Sequence, residues 1–211
     1  MLLTVVDYGV GNLRSIAKSI EKANSDNNLD YSVKVSSDVD DVKKSDKIVL
    51  PGQGSFKACR SGIDNIKGLQ EELNESVLVK KKPIYGICAG MQLFATTGHE
   101  EEKTSGLNWI PGEVIKLDLG RSNLKIPHMG WNELKTENIS KVFQKVIDKN
   151  HAYFIHSYEF IPKNKKNISI TTNYGKDVTA AVSSDNIFGS QFHPEKSQNT
   201  GLKILTNFLN L

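Results

Sequence analysis

Ile84-Tyr85-Gly86-Ile87-Cys88-Ala89-Gly90-Met91-Gln92 is the stretch whose reading decides the fold of this chain. Pro83 to Ile87 reads as a short buried strand, and Met91, Phe94 and Ala95 then fall on one face of a helix. Between them, Gly-x-Cys-x-Gly has the pattern of a nucleophile elbow with cysteine in place of serine. The glycines leave room for a sharp turn that pushes the side chain out at the carboxyl end of a sheet. A helix starting there favours a thiolate through its N-terminal dipole, which matters because a free thiol has a pKa near ~8.5. On this pattern alone a buried structural cysteine remains the competing reading.

Working outward, Leu2 to Asp7 is a continuous apolar run of strand length that ends at Gly9-Val10-Gly11-Asn12. Leu13, Ile16, Ala17 and Ile20 follow at helical spacing, with Arg14, Lys18, Glu21 and Lys22 between them. Tyr31 to Val35 alternates like a strand, Lys47 to Leu50 is a short strand running into Pro51-Gly52, and the spacing predicts a helix from about Gly68 to Lys80. Strand and helix in alternation predict an α/β fold with a mostly parallel open sheet covered by helices on both faces. After about Glu113 the texture changes to strand-like pieces: 114–117, 125–134, 151–160, 168–173, 179–182 and 187–192. They predict an antiparallel or mixed extension of the same sheet. Leu202, Leu205, Phe208 and Leu209 then mark a closing helix. No repeat or linker interrupts residues 1–211, so one domain is expected.

Composition excludes several function classes. The 27 Lys and Arg against 24 Asp and Glu leave a net charge of +3, with no concentrated basic stripe for nucleic acid. Two cysteines make neither a disulfide framework nor a zinc site, and no His, Cys, Asp and Glu set has metal spacing. The start lacks a basic segment and meets Asp7 too soon for a secretion signal, and no apolar run reaches the ~18 residues that span a bilayer. The expectation is a soluble cytoplasmic protein that contacts neither membrane nor nucleic acid and needs no cofactor.

Two further segments carry chemistry. In Gly189-Ser-Gln-Phe-His193-Pro194-Glu195, the imidazole and carboxylate are two positions apart, so in extended chain they project to the same side. A carboxylate there can hold an imidazole's tautomer, which makes Cys88, His193 and Glu195 a plausible nucleophile, base and orienter. In Leu50-Pro51-Gly52-Gln53-Gly54, glycines after a buried strand let backbone N–H groups approach a reacting carbonyl. A phosphate cradle lacks its Gly-Lys-Ser/Thr.

Together these segments resemble the class I, triad-type glutamine amidotransferases over nearly the whole chain. Pro127-His-Met-Gly-Trp-Asn132 and Tyr153-Phe-Ile-His-Ser-Tyr158 are most similar to the glutaminase subunits of imidazole glycerol phosphate synthase, in histidine biosynthesis. The resemblance implies a flavodoxin-like class I fold and hydrolysis of L-glutamine through a thioester on Cys88. It implies His193 as acid and base, Glu195 as its orienter, and an oxyanion site at the Ala89 N–H and the Gly52-Gln53-Gly54 turn. It further implies a glutamine pocket at Gln92, Ser157 and Tyr158. Ammonia would pass to a (βα)8-barrel cyclase subunit in a heterodimer, with Asn12, Trp131, Tyr153 and Lys196 near the interface. Ala89 and Gln53 stand where the family usually has Leu and Val. Both positions contribute mainly backbone, so the chemistry is expected to survive while gating by the partner differs.

The remaining candidates read as structural. Cys59 has no charged partner nearby in sequence, His99 heads the acidic loop Glu100-Glu101-Glu102, and His151 has no evident role. His128 and His156 read as hydrogen-bonded structural residues that the resemblance puts near the active face. Two rivals stay open: a glutaminase feeding another acceptor, such as a sugar amidation, and a non-catalytic regulatory subunit of the same fold.

Overall fold

Leu2–Val6, Lys47–Leu50, Ile84–Ile87 and Ile187–Ser190 are almost wholly buried strands, and they lie side by side in parallel. Their near-continuous apolar runs are what a sheet covered on both faces requires. In the computed structural model, which describes residues 1–138, 140–145 and 150–211, they form the centre of an eight-stranded sheet. Ser32–Ser36, with its mostly exposed pattern, edges one side beside Leu2–Val6. On the other side Asp177–Ser184, Ile168–Asn173 and Lys135–Thr136 continue antiparallel beyond Ile187–Ser190.

Side chains alternate across the strands and feed two cores. Val49, Tyr85 and Ile87 face the layer made by the helices Leu13–Asp26 and Gln198–Leu209, packing on Ile16, Ile20, Leu205 and Phe208. Ile48, Leu50 and Ile84 face the other, with Phe56, Ile63, Leu69, Leu73 and Phe94. Burying each such side chain is worth about 1.5–3 kcal/mol, so the two layers hold the sheet. The closing helix is also tied by charge. Buried Lys47 donates from Nζ to the Phe208 and Leu209 carbonyls at 2.8 and 2.7 Å, occupying the helix C-terminus.

The parallel core, the flanking helices and the antiparallel extension match expectation, with three corrections. The strand-like pieces after residue 113 do not all extend one sheet. Tyr158–Pro162 and Gly112–Lys116 pair antiparallel in a four-stranded sheet with Thr97–Gly98 and Thr104–Ser105. His151–His156 pairs with His128–Glu133 in a separate ribbon, so 151–160 is two strands broken at Ser157. Ile187–Ser190 is an inner parallel strand, not part of the antiparallel extension. The expected 68–80 helix is α-helical over Leu69–Asn74 and widens to a π-helix over Glu75–Val79, where the Lys80 N–H reaches back to the Glu75 carbonyl. Two short helices, Val39–Lys44 and Phe56–Asp64, are capped by the side chains of Asp38 and Ser55.

Candidate active site

The site lies at the carboxyl ends of the parallel strands. Ile84–Ile87 runs into Cys88, which has φ 53° and ψ −115°, and a single helical turn follows over Ala89–Gln92. This positive-φ residue is the strained elbow expected of the motif, with Cys88 buried except where it meets the cavity, and its N–H is held at 2.7 Å by the Ser190 carbonyl of the neighbouring strand. With one turn only, the helix contributes less to a thiolate than its sequence suggested.

Close backbone approach explains the glycines. A Cβ on Gly52 would lie 2.0 Å from the Gly90 nitrogen, and one on Gly90 would lie 2.1 Å from the Leu50 carbonyl oxygen. The Gly52-Gln53-Gly54 turn therefore rests directly on the elbow, beside Ala89. It is gripped from behind: Tyr8 Oη donates to the Pro51 carbonyl, and Cys59 Sγ lies 3.7 Å from the Gln53 carbonyl. Burial raises the Tyr8 phenol well above its ordinary pKa, so it stays a donor. Cys59 is buried and structural, as expected, and the surface it supports is this turn. Gln53, which is exposed, and Ala89, which is buried, both line the site.

His193 and Glu195 do meet, though by a different route from the one expected. The strand ends at Ser190, and Pro194–Lys196 forms a 3-10 turn that folds the carboxylate under the ring. His193 Nδ1 lies 2.8 Å from Glu195 Oε1, and the Glu195 side chain is only 1% exposed. With Nδ1 so committed, Nε2 is the nitrogen left for Cys88. Burial alone would lower the His193 pKa. Hydrogen bonding and charge from Cys88 and Glu195 outweigh it and raise the pKa to about 9, so the ring is a cation at neutral pH.

Cys88, His193, Gly52, Gln53, Gly54, Ala89, Gln92, Ser157 and Tyr158 line one cavity of about 330 Å³, within the range of small-ligand sites. Every residue expected at the nucleophile, the oxyanion turn and the substrate pocket is therefore brought together, except that Glu195 stands behind His193. Glu100 also lines the cavity, with Oε2 accepting from the Phe56 N–H at 2.7 Å. Sequence reasoning passed over it because a run of three glutamates reads as a solvated loop. A larger hollow of about 780 Å³, at the opposite ends of the strands beside Pro83 and Asn186, holds none of these residues. Among the described residues no three His, Cys, Asp or Glu are placed to hold a metal, and no helix is long and apolar enough to cross a membrane.

Beside the cavity, alternation on the His128–Glu133 and His151–His156 ribbon sends Met129, Trp131, Tyr153 and Ile155 to one face. Met129 is 63% and Trp131 47% exposed. Trp131 meets Tyr153 edge-on at 6.1 Å, and Lys196 Nζ sits 5.6 Å from the Tyr153 ring centre. Three of the four expected interface residues thus cluster at the mouth, and Asn12 is exposed at the start of the Leu13–Asp26 helix.

Residues 4–211 match the family model described as glutamine amidotransferase class-I. The chain belongs to the class I glutamine amidotransferase family. It is 49% identical over 211 residues to a protein of Pelagibacter ubique named imidazole glycerol phosphate synthase subunit HisH, with all of both chains covered. A protein of the same name from Rhodopseudomonas palustris is 45% identical, covering 99% of this chain and 98% of its own. Among solved structures, a crystal structure of a glutamine amidotransferase matches with a TM-score of 0.71 at 15% identity, covering 99% of each chain. At that identity the likeness shows the fold alone. As a family member the chain is a glutamine amidotransferase, an enzyme of the glutaminase type.

Proposed function

We propose that this chain is the glutaminase subunit of an imidazole glycerol phosphate synthase and acts in the cytoplasm in histidine biosynthesis. The carrying observation is His193, held at Nδ1 by buried Glu195, lining one cavity together with Cys88 and the Gly52-Gln53-Gly54 turn. Full-length similarity to proteins carrying that synthase's name supports the pathway.

In this reading Cys88 sulfur attacks the side-chain carboxamide carbon of L-glutamine. The oxyanion that forms is met by the Ala89 N–H and an N–H of the Gly52-Gln53-Gly54 turn. His193, a cation, gives the Nε2 proton to the departing nitrogen as the C–N bond breaks, releasing ammonia and leaving a glutamyl thioester. His193 then takes a proton from water, the water oxygen attacks the thioester carbon, and the C–S bond breaks to give glutamate and the sulfur. Glu195 holds the tautomer and the charge of the ring throughout. Gln92, Ser157 and Tyr158 bind the amino-acid end, and Glu100 places negative charge on the wall against which its ammonium can sit.

The apolar face of Met129, Trp131, Tyr153 and Ile155 receives a (βα)8-barrel cyclase subunit, with Asn12 and Lys196 at its edge, and ammonia passes to it without leaving the complex. The test is glutamate production from glutamine by the purified chain and by Cys88→Ala. Loss of all turnover in Cys88→Ala, with folding retained, supports the assignment, and retained turnover removes Cys88 from the mechanism.

A further inference from the structure

One backbone carbonyl, that of Tyr158, organises the buried side of this site. It accepts from Gln92 Nε2 at 3.1 Å and from His156 Nδ1 at 2.9 Å. A carbonyl oxygen can only accept, so both partners must donate, and every group farther along the chain of contacts is assigned in turn. The nitrogen of Gln92 that faces Tyr158 also lies 2.9 Å from Gln191 Oε1. With its oxygen engaged there, fully buried Gln191 turns Nε2 toward Cys88 Sγ at 3.5 Å. Flipping the Gln191 amide would set N–H against N–H at one end and oxygen against sulfur at the other. The amide hydrogens of Gln92 are spent inward, so its carbonyl oxygen is what it can offer to the cavity.

The other branch is equally determined. His156 donates from Nδ1, so in a neutral ring its Nε2 accepts, here from His128 Nδ1 at 3.0 Å. His128 Nε2 in turn accepts from Asn132 Nδ2 at 3.1 Å, and Asn132 Nδ2 also donates to the Asn173 carbonyl at 2.9 Å. His128 is stacked between Phe154 and Tyr174. A proton added to either ring would oppose donor to donor. Burial agrees, lowering the pKa of His128 to about 4 and that of His156 to about 3. The pair anchors the Tyr158 carbonyl without placing a second cation beside His193.

We propose that Gln191 is a further catalytic residue: it donates an N–H to the Cys88 sulfur, with its polarity set by the Tyr158 carbonyl through Gln92. This rests on Cys88 being the nucleophile. A hydrogen bond to the charged form favours that form, so Gln191 promotes the thiolate over the thiol. His156 and His128 are positioning residues that hold the carbonyl from which the order starts.

The test is the pH dependence of iodoacetamide alkylation of Cys88, followed by mass spectrometry of its peptide, beside glutamine turnover. In Gln191→Met, which keeps the length and removes the amide, the alkylation midpoint should rise by about one pH unit and kcat fall on the order of tenfold. An alkylation profile and a kcat within twofold of wild type would overturn the proposal. If Gln191→Met does not fold, Gln191→Glu decides. It keeps an acceptor for Gln92 but sets oxygen against sulfur, so the same rise is required and an unchanged profile again overturns the proposal. Cys88→Ala separates the two claims. If it still hydrolyses glutamine, the nucleophile assignment fails and the role of Gln191 with it. If it is inert while Gln191→Met keeps the wild-type profile, the nucleophile stands and the Gln191 proposal alone falls.

Discussion

Replacing Glu195 by Gln isolates what the carboxylate contributes to His193. The substitution keeps the shape, and the structure gives it a way to keep the tautomer. Glu195 places Oε1 on His193 Nδ1, and among the described residues its buried Oε2 has no protein partner. A glutamine can therefore present its oxygen to Nδ1–H and place its NH2 where Oε2 stood. What it cannot supply is the charge. The His193 pKa stands at about 9 against an ordinary 6.5, and Cys88 and Glu195 share in raising it while burial opposes them. If Glu195 supplies half of that rise, its loss lowers the pKa by about 1–2 units, worth roughly 1.5–3 kcal/mol at 1.36 kcal/mol per unit. Glu195→Gln should then slow glutamine hydrolysis by about 10–100-fold, less than His193→Ala, and move the basic limb of kcat/KM down from near pH 9. The same shift has a stability signature of definite sign. A raised folded-state pKa stabilises below the unfolded value of 6.5 and is lost as pH rises through 9. The unfolding free energy of Glu195→Gln should thus fall furthest behind wild type below pH 6.5, and the gap should narrow by pH 9. A basic limb unmoved in the variant, or a stability gap that does not change with pH, would refute the reasoning.

Gly52→Ala puts a Cβ where the Gly90 nitrogen already lies 2.0 Å away, so the turn must leave the elbow. Losing one oxyanion donor costs about 10²–10³ in kcat, and steady-state kinetics should show a loss of at least ~100-fold. Lys47→Met leaves the Phe208 and Leu209 carbonyls without their donor, and denaturant unfolding near pH 7 should show a loss of about 1–3 kcal/mol. Burial lowers the Lys47 pKa to about 8, so wild type should gain stability relative to that variant as pH rises from 8 toward 10.5. Trp131→Ala should leave folding and Cys88 alkylation unchanged while weakening cyclase binding by about 2 kcal/mol or more in calorimetric titration.

The juxtaposition of Cys88, His193 and Glu195 was legible in the sequence because its constraints are local. A strand, a glycine-flanked cysteine and a helix leave few conformations, and His193 and Glu195 are too close in sequence to fall apart. Even there the reason differed, since a 3-10 turn opened by Pro194 joins them where an extended strand was expected. Asp38 and Ser55 cap the helices Val39–Lys44 and Phe56–Asp64, a local signal that the few apolar residues of these short segments do little to reinforce. The partition of the later strands was not legible. Alternating residues tell which face is buried but not which sheet, and the break at Ser157 follows from pairing with strands distant in sequence. Gln191 and Glu100 were hidden for the same reason, because each acquires its role from a long-range partner, whereas His128 and His156 were expected to be hydrogen-bonded and only their bond to each other was not.

The central claim is that Cys88 and His193 hydrolyse glutamine in the service of a cyclase partner. Its most direct test is glutamate release by the purified chain, alone and mixed with the cyclase subunit, with and without the imidazole-nucleotide precursor. Partner plus nucleotide should strongly stimulate turnover, and Cys88→Ala should abolish it. Turnover indifferent to this partner would contradict the pathway, and no turnover under any condition from folded protein would contradict the glutaminase itself.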